Sequence, residues 1–75
     1  MITVRTFYID GSASEDTTDE SIIEQLIHLK NLGYEGKELV HHLLRSDDFG
    51  APPTSINISG KLKNGTEINE TIYYR

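Results

Sequence analysis

The strongest structural signal in the chain lies in residues 54–74, whose sequence is TSINISGKLKNGTEINETIYY. Two runs of alternating apolar and polar residues flank a Lys-Asn-Gly segment at positions 63–65. Alternation on both sides of an Asn-Gly pair is typical of a β-hairpin. We therefore predict two antiparallel strands, 54–62 and 66–74, joined by a tight turn.

The length of the turn sets which residues face each other across the hairpin. A two-residue loop would place Leu62 opposite Glu67 and would put the apolar residues of the two strands on different faces. A three-residue loop with Gly65 in a left-handed conformation places Leu62 opposite Thr66 instead, and collects the apolar residues on one face. We predict this second register. It pairs Thr54 with Tyr74, Ser55 with Tyr73, Ile56 with Ile72, Asn57 with Thr71, Ile58 with Glu70, Ser59 with Asn69, Gly60 with Ile68 and Lys61 with Glu67.

The remaining residues predict one more strand and two helices. Residues 2–9 are rich in β-branched and aromatic residues, which favour a strand. Residues 10–17 are small and acidic and predict a flexible loop, ending in a capping box between Thr17 and Glu20. Apolar residues at helical spacing predict helices at 18–32 and 36–46, with Gly33 ending the first helix in a Schellman motif.

These elements predict a single α+β domain spanning residues 1–75, in the order β-α-α-β-β. A right-handed crossover through both helices would leave the first strand parallel to strand 54–62. We predict a three-stranded sheet in spatial order 2-3-1, with strand 66–74 in the middle and the helical pair packed on one face.

Composition excludes several classes of protein. The chain has 75 residues, no cysteine and a net charge of −5. Nucleic acids and anionic membranes attract basic surfaces, so neither is an expected partner. No apolar run is long enough to span a membrane, and the amino-terminal residues lack the pattern of a signal peptide. The composition predicts a complete, soluble, cytoplasmic protein with no cofactor.

Two groups of residues are candidates for a contact surface. Phe7 and Ile9 would project onto the side of the sheet away from the helices, where the hairpin register also places Tyr73, beside Lys61 and Glu67. Exposed aromatic residues often mark a protein contact surface. Alternatively, Phe7 turns inward through a bulge at Thr6. The second candidate is an acidic group on which a basic groove of a partner could dock; it includes Asp16, Asp19 and Glu20, next to Glu15.

The histidines and one carboxylate are candidates for metal binding or catalysis. His41 could bind a metal with His28 and Asp47 only if the helices crossed favourably. Glu70 would lie on the helix side of the sheet, where Lys37 or Arg45 could pair with it. His42 follows His41 directly, so their rings point about 100° apart on a helix. We assign no metal ligand and no catalytic residue.

The sequence thus leaves three functional hypotheses. The first is a non-enzymatic protein-interaction module that self-associates through the open sheet face or through the edge of strand 54–62. The second is an acidic inhibitor or regulator that occupies a basic groove of another protein. The third is a small metal-binding or enzymatic domain that uses His28, His41, His42 or Glu70.

Overall fold

The computed structural model describes residues 1–44 and 53–75. The part of the chain that it describes is an α+β domain with two helices and four strands. In chain order these elements are β1 (Ile2–Tyr8), β2 (Ala13–Thr18), α1 (Ser21–Asn31), α2 (Gly36–Leu44), β3 (Pro53–Lys61) and β4 (Glu67–Tyr73).

All four strands join one antiparallel sheet in the order β2-β1-β3-β4. The prediction of three strands in the order 2-3-1 was wrong, because it omitted β2 and placed β4 in the centre. β1 runs antiparallel to β3, against the predicted parallel arrangement. The strand that enters the helical crossover and runs parallel to β3 is β2, since both β2 and β3 are antiparallel to β1.

The predicted register of the C-terminal hairpin is confirmed. Ile56 pairs with Ile72 and Ile58 pairs with Glu70, as a three-residue loop requires. The Leu62 N–H donates to the Thr66 carbonyl at 2.8 Å. Gly65 closes the loop with its N–H on the Leu62 carbonyl at 2.9 Å, in a left-handed conformation with φ of 88°.

A second hairpin joins β1 to β2, where the sequence had predicted a flexible loop at 10–17. Its turn repeats the geometry of the first one. The Tyr8 N–H donates to the Ser12 carbonyl at 2.9 Å, and the Gly11 N–H donates to the Tyr8 carbonyl at 3.0 Å. In each turn an Asx side chain accepts a backbone N–H two residues further on, at 2.9 Å: Asp10 from Ser12, and Asn64 from Thr66.

The start of the first helix also differs from its prediction. Thr17 lies in β2, so it cannot cap the helix, and the predicted capping box was wrong. The helix begins at Ser21 rather than near residue 18, and the Ser21 N–H donates to Asp19 at 2.9 Å. Glu20 instead accepts the backbone N–H of Lys63 from the turn of the other hairpin. The pairing of β2 with β1 thus removes Thr18 from the predicted helix and makes a strand of most of the predicted loop.

The end of this helix is the predicted Schellman motif. The helix ends at Asn31, and Gly33 is left-handed with φ of 95°. The Gly33 N–H donates to the Lys30 carbonyl at 3.0 Å, and the Tyr34 N–H donates to the Leu29 carbonyl at 3.1 Å. These two bonds satisfy carbonyls that the helix leaves unpaired. The second helix is described to Leu44, so residues 45 and 46 of its predicted range lie outside the described part.

Both helices pack on the same face of the sheet, as predicted. The alternation of strand residues puts Ile2 and Val4 of β1 on that face, and both are buried. β3 contributes Ile56 and Ile58, each with no exposed surface. The core is completed by Ile22, Leu26, Leu39, Val40, Leu43 and Ile72.

Candidate functional site

The side of the sheet away from the helices carries a row of alternating small and aromatic residues. We call this side the open face. Strand pairing aligns Ala13 with Phe7, Phe7 with Ser55, and Ser55 with Tyr73, so one residue from each strand lies in the row. Phe7 is 37% exposed and Tyr73 is 57% exposed. The predicted placement of Tyr73 is therefore correct, and of the two alternatives for Phe7 the structure shows the outward one, with Thr6 buried on the helix side.

The other residues that were predicted beside the aromatic residues differ from the prediction in two ways. Ile9 lies beyond the end of β1, in the turn, and is 69% exposed. The pair formed by Lys61 and Glu67 lies at the turn end of the C-terminal hairpin, whereas Tyr73 lies at the other end. These two charged residues therefore do not lie beside the aromatic residues, and that part of the prediction was wrong.

Polar side chains in the middle of the open face bond to one another. The Asn57 amide donates to the side chains of Asn69, at 2.7 Å, and Thr71, at 3.1 Å. On the neighbouring strands, the Arg5 guanidinium donates from Nε at 3.0 Å and from Nη2 at 2.7 Å to one Glu15 carboxylate oxygen. Since these groups have partners within the chain, a protein could cover them at a lower desolvation cost than unpaired groups.

The open face carries no acidic excess although the chain is acidic. Its charged residues are Arg5, paired with Glu15, and Lys61, directly opposite Glu67, together with Arg75, whose guanidinium lies 5.1 Å from the centre of the Tyr73 ring. The acidic excess behind the net charge of −5 therefore belongs to the rest of the chain. The open face is thus the surface least affected by the repulsion that an acidic chain exerts on another acidic surface.

The acidic candidates have structural partners in the fold. Asp19 accepts both the N–H and the hydroxyl of Ser21, and these bonds lower the pKa of Asp19. Glu20 binds the Lys63 N–H, and Glu15 pairs with Arg5. Asp16 lies on β2 and is exposed. Three of these four carboxylates therefore help to hold the hairpins and the helix start in place.

The histidines form two separate contacts with tyrosines. The His41 Nε2 atom and the Tyr74 hydroxyl share a hydrogen bond. His42 lies against Tyr34, with ring centroids 4.3 Å apart. His28 is exposed on α1.

Within residues 1–44 and 53–75, no three His, Asp or Glu side chains are grouped closely enough to hold a metal ion. Glu70 pairs with Lys30 of α1 rather than with Lys37. Asp47 and Arg45, named above as possible partners of His41 and Glu70, lie outside the described residues.

Strand addition at β3, one of the predicted routes of self-association, is incompatible with the sheet. β3 lies between β1 and β4, so both of its edges are paired. The edges are β2, which carries Glu15 and Asp16, and β4. At the end of β4, the start of α2 approaches the chain, and the Lys37 N–H donates to the Arg75 carbonyl at 3.2 Å. Charged residues on an edge strand and cover over an edge both discourage strand addition.

The sequence signals do not identify one residue of the row. Ala13 lies in the stretch whose composition predicts a loop, so its place beside Phe7 is not evident from the sequence. The signal was present in Asp10-Gly11, an Asx-Gly pair like the one that identified the other hairpin. The residues after it are polar and do not alternate, which hid the strand.

Comparison of the chain with known protein families, with curated proteins and with solved structures finds no match. Neither helix in the described part of the chain is long and apolar enough to cross a membrane.

Proposed function

We propose that this chain is a non-enzymatic, cytoplasmic protein-interaction module that binds through its open face. The single observation that carries the proposal is the partly exposed aromatic row, in which the Arg75 guanidinium lies against the Tyr73 ring, 5.1 Å from its centre. Helices bury one side of the sheet, while Phe7 and Tyr73 stay partly exposed on the other side. Exposed aromatic side chains on a rigid element supply contact area at a low cost in conformational entropy.

The surroundings of the aromatic residues support the same surface. Ser55 lies between Phe7 and Tyr73 in the row, and its side chain is much smaller than either ring. The polar centre of the face is bonded internally through Asn57. A partner would therefore gain aromatic contacts without leaving unpaired groups behind.

The acidic alternative, docking of Asp16, Asp19 and Glu20 on a basic groove, has weaker support. Asp19 and Glu20 already accept bonds from Ser21 and Lys63. A basic partner would compete with these bonds, and its affinity would fall steeply as salt is added. Binding through the open face depends mainly on apolar contact and is much less sensitive to salt.

The test compares partner capture by two variants that each remove one exposed apolar side chain. Tyr73→Ser alters the open face, and Ile27→Ser alters α1, where Ile27 is 55% exposed. We expect the first variant to lose the proteins that the wild-type chain captures from its native host, and the second to retain them. Equal retention by both variants, with both folded by circular dichroism, would contradict the proposal.

A further inference from the structure

We propose that the partner of the open face is a second copy of this chain, packed face to face about a two-fold axis parallel to the strands. This inference rests on the proposed function, because it takes the open face as the contact surface. It adds the identity of the partner and the way in which the two surfaces fit. The product is a two-sheet sandwich with the helices on its outside.

The order of side chains in the row carries the inference. Across the sheet the row is Ala13, Phe7, Ser55, Tyr73, which alternates small and large. A two-fold axis parallel to the strands reverses the order of the row in the second copy. It leaves the row at the same position along the strand direction. Each Phe7 then lies over the Ser55 of the other copy, and each Tyr73 lies over the other Ala13.

This arrangement satisfies the packing rule for sheets. Sheets that pack face to face keep their strands roughly aligned and interlock side chains across a gap of about 10 Å. A row of four large residues would collide with its own reversed copy, and a row of four small residues would leave a void. The alternating row does neither, so the surface is complementary to itself, as a two-fold interface requires.

The charges of the open face permit the same contact. The reversed order puts Arg5 over Asn57 of the second copy, and Glu15 over Thr71. No like charges meet in this second row. The acidic excess of the chain lies outside this face, where it would disfavour contact with a second copy.

The size of the face sets the expected strength. Four strands spaced by about 4.8 Å and six residues of about 3.3 Å each make a face of roughly 19 by 20 Å. Such an area, about 380 Å² on each copy, is roughly half of what a standard specific interface buries per partner. We therefore expect a weak dimer that forms and dissociates at high micromolar concentrations, with the helices of both copies remaining exposed to other partners.

An exchange of the two central residues of the row tests the packing. Ser55→Phe alone places aromatic rings against each other across the interface, and Phe7→Ser alone leaves a void. We expect each single variant to weaken the dimer roughly tenfold or more, measured by sedimentation equilibrium over a range of concentrations. The double variant Phe7→Ser/Ser55→Phe again sets a large residue over a small one, so it should recover most of the affinity.

The outcomes separate this inference from the proposed function. A wild-type chain that stays monomeric at high micromolar concentration overturns the second-copy inference. The capture test with Tyr73→Ser still decides whether the open face binds another protein. A dimer that Ser55→Phe strengthens overturns the proposed packing, since a merely sticky surface would gain from a further aromatic residue. Circular dichroism and thermal unfolding of each variant establish that it is folded before its mass is interpreted.

Discussion

Gly11 and Gly65 occupy equivalent positions in two hairpin turns and share a backbone φ of 88°. Each follows an Asx residue and precedes a hydroxyl residue, and each N–H bonds to the carbonyl three positions back. The turns lie at opposite ends of the sheet, because the strands that lead into them, β1 and β3, are antiparallel. The two halves of the sheet are therefore built on one local motif used twice.

Substitution of either turn glycine should destabilise the fold through the backbone alone. A Cβ added at Gly11 or Gly65 would meet no atom within 4 Å, so no steric clash contributes. The left-handed conformation costs an L-residue about 1–2 kcal/mol. We expect Gly65→Ala to lower the free energy of unfolding by about 1 kcal/mol in urea titrations. Gly65→Asn is the control and should cost less, since Asn tolerates this conformation; an equal loss in both variants would argue against the explanation.

Gly60 should be far less tolerant than the turn glycines. It lies in β3 with φ of 148°, and an added Cβ would lie 2.7 Å from the Met1 carbonyl oxygen and 3.2 Å from the Ile2 Cα. Because these atoms belong to the backbone, β1 would have to shift. We expect Gly60→Ala to cost about 1–3 kcal/mol more than Gly65→Ala in the same urea titrations. Similar losses for the two variants would mean that β1 moves freely, contrary to this prediction.

The ion pair between Lys30 and Glu70 should contribute little to stability. It joins α1 to β4, and the two side chains are 47% and 41% exposed. Exposed pairs are screened by water and typically contribute less than about 1 kcal/mol. A double-mutant cycle with Lys30→Met and Glu70→Gln should give a coupling energy below that value, and it should shrink as salt is added. A second double-mutant cycle, on the pair of Arg5 with Glu15 of the open face, is the matched control, because these two side chains are similarly exposed, at 48% and 54%.

Two aspartates should titrate below the ordinary range for this residue. Hydrogen bonds from the hydroxyl and the N–H of Ser12 lower the pKa of Asp10, and the same groups of Ser21 lower the pKa of Asp19. A carboxyl whose pKa is lower in the folded state stabilises that state above its unfolded pKa. This stabilisation is lost as the pH falls through the lower, folded pKa.

Carboxyl-carbon NMR during an acid titration measures both aspartates at once. Ser12→Ala should return the pKa of Asp10 toward its ordinary value and leave Asp19 unchanged. Ser21→Ala should return the pKa of Asp19 toward its ordinary value and leave Asp10 unchanged. If both aspartates responded to either variant, the local hydrogen bonds would not be the cause.

Local signals in the sequence predicted those features whose partners lie close together in the chain. The register of the C-terminal hairpin followed from the position of Gly65, because a shift of one residue would put Ile56 and Ile72 on different faces of the sheet. The Schellman end of α1 followed from Gly33 in the same way. On the open face, the position of Tyr73 followed from strand alternation, whereas alternation left Phe7 with both an outward and an inward placement. Each of these predictions needed only a few neighbouring residues.

The tertiary structure decided the presence of β2 and the order of the strands. β2 follows β1 in a hairpin, but it has no apolar alternation that would predict it; it pairs with the free edge of β1, where Arg5 bonds to Glu15. Its presence moves the helix start to Ser21 and brings Ala13 beside Phe7. The pairing of β1 with β3, which are distant in the chain, sets β3 between β1 and β4. The sequence by itself thus determined the turns and the faces of individual strands, since those depend on local backbone geometry. The order of the strands and the completed aromatic row required the whole sheet, because backbone pairing between strands is nearly independent of side-chain identity.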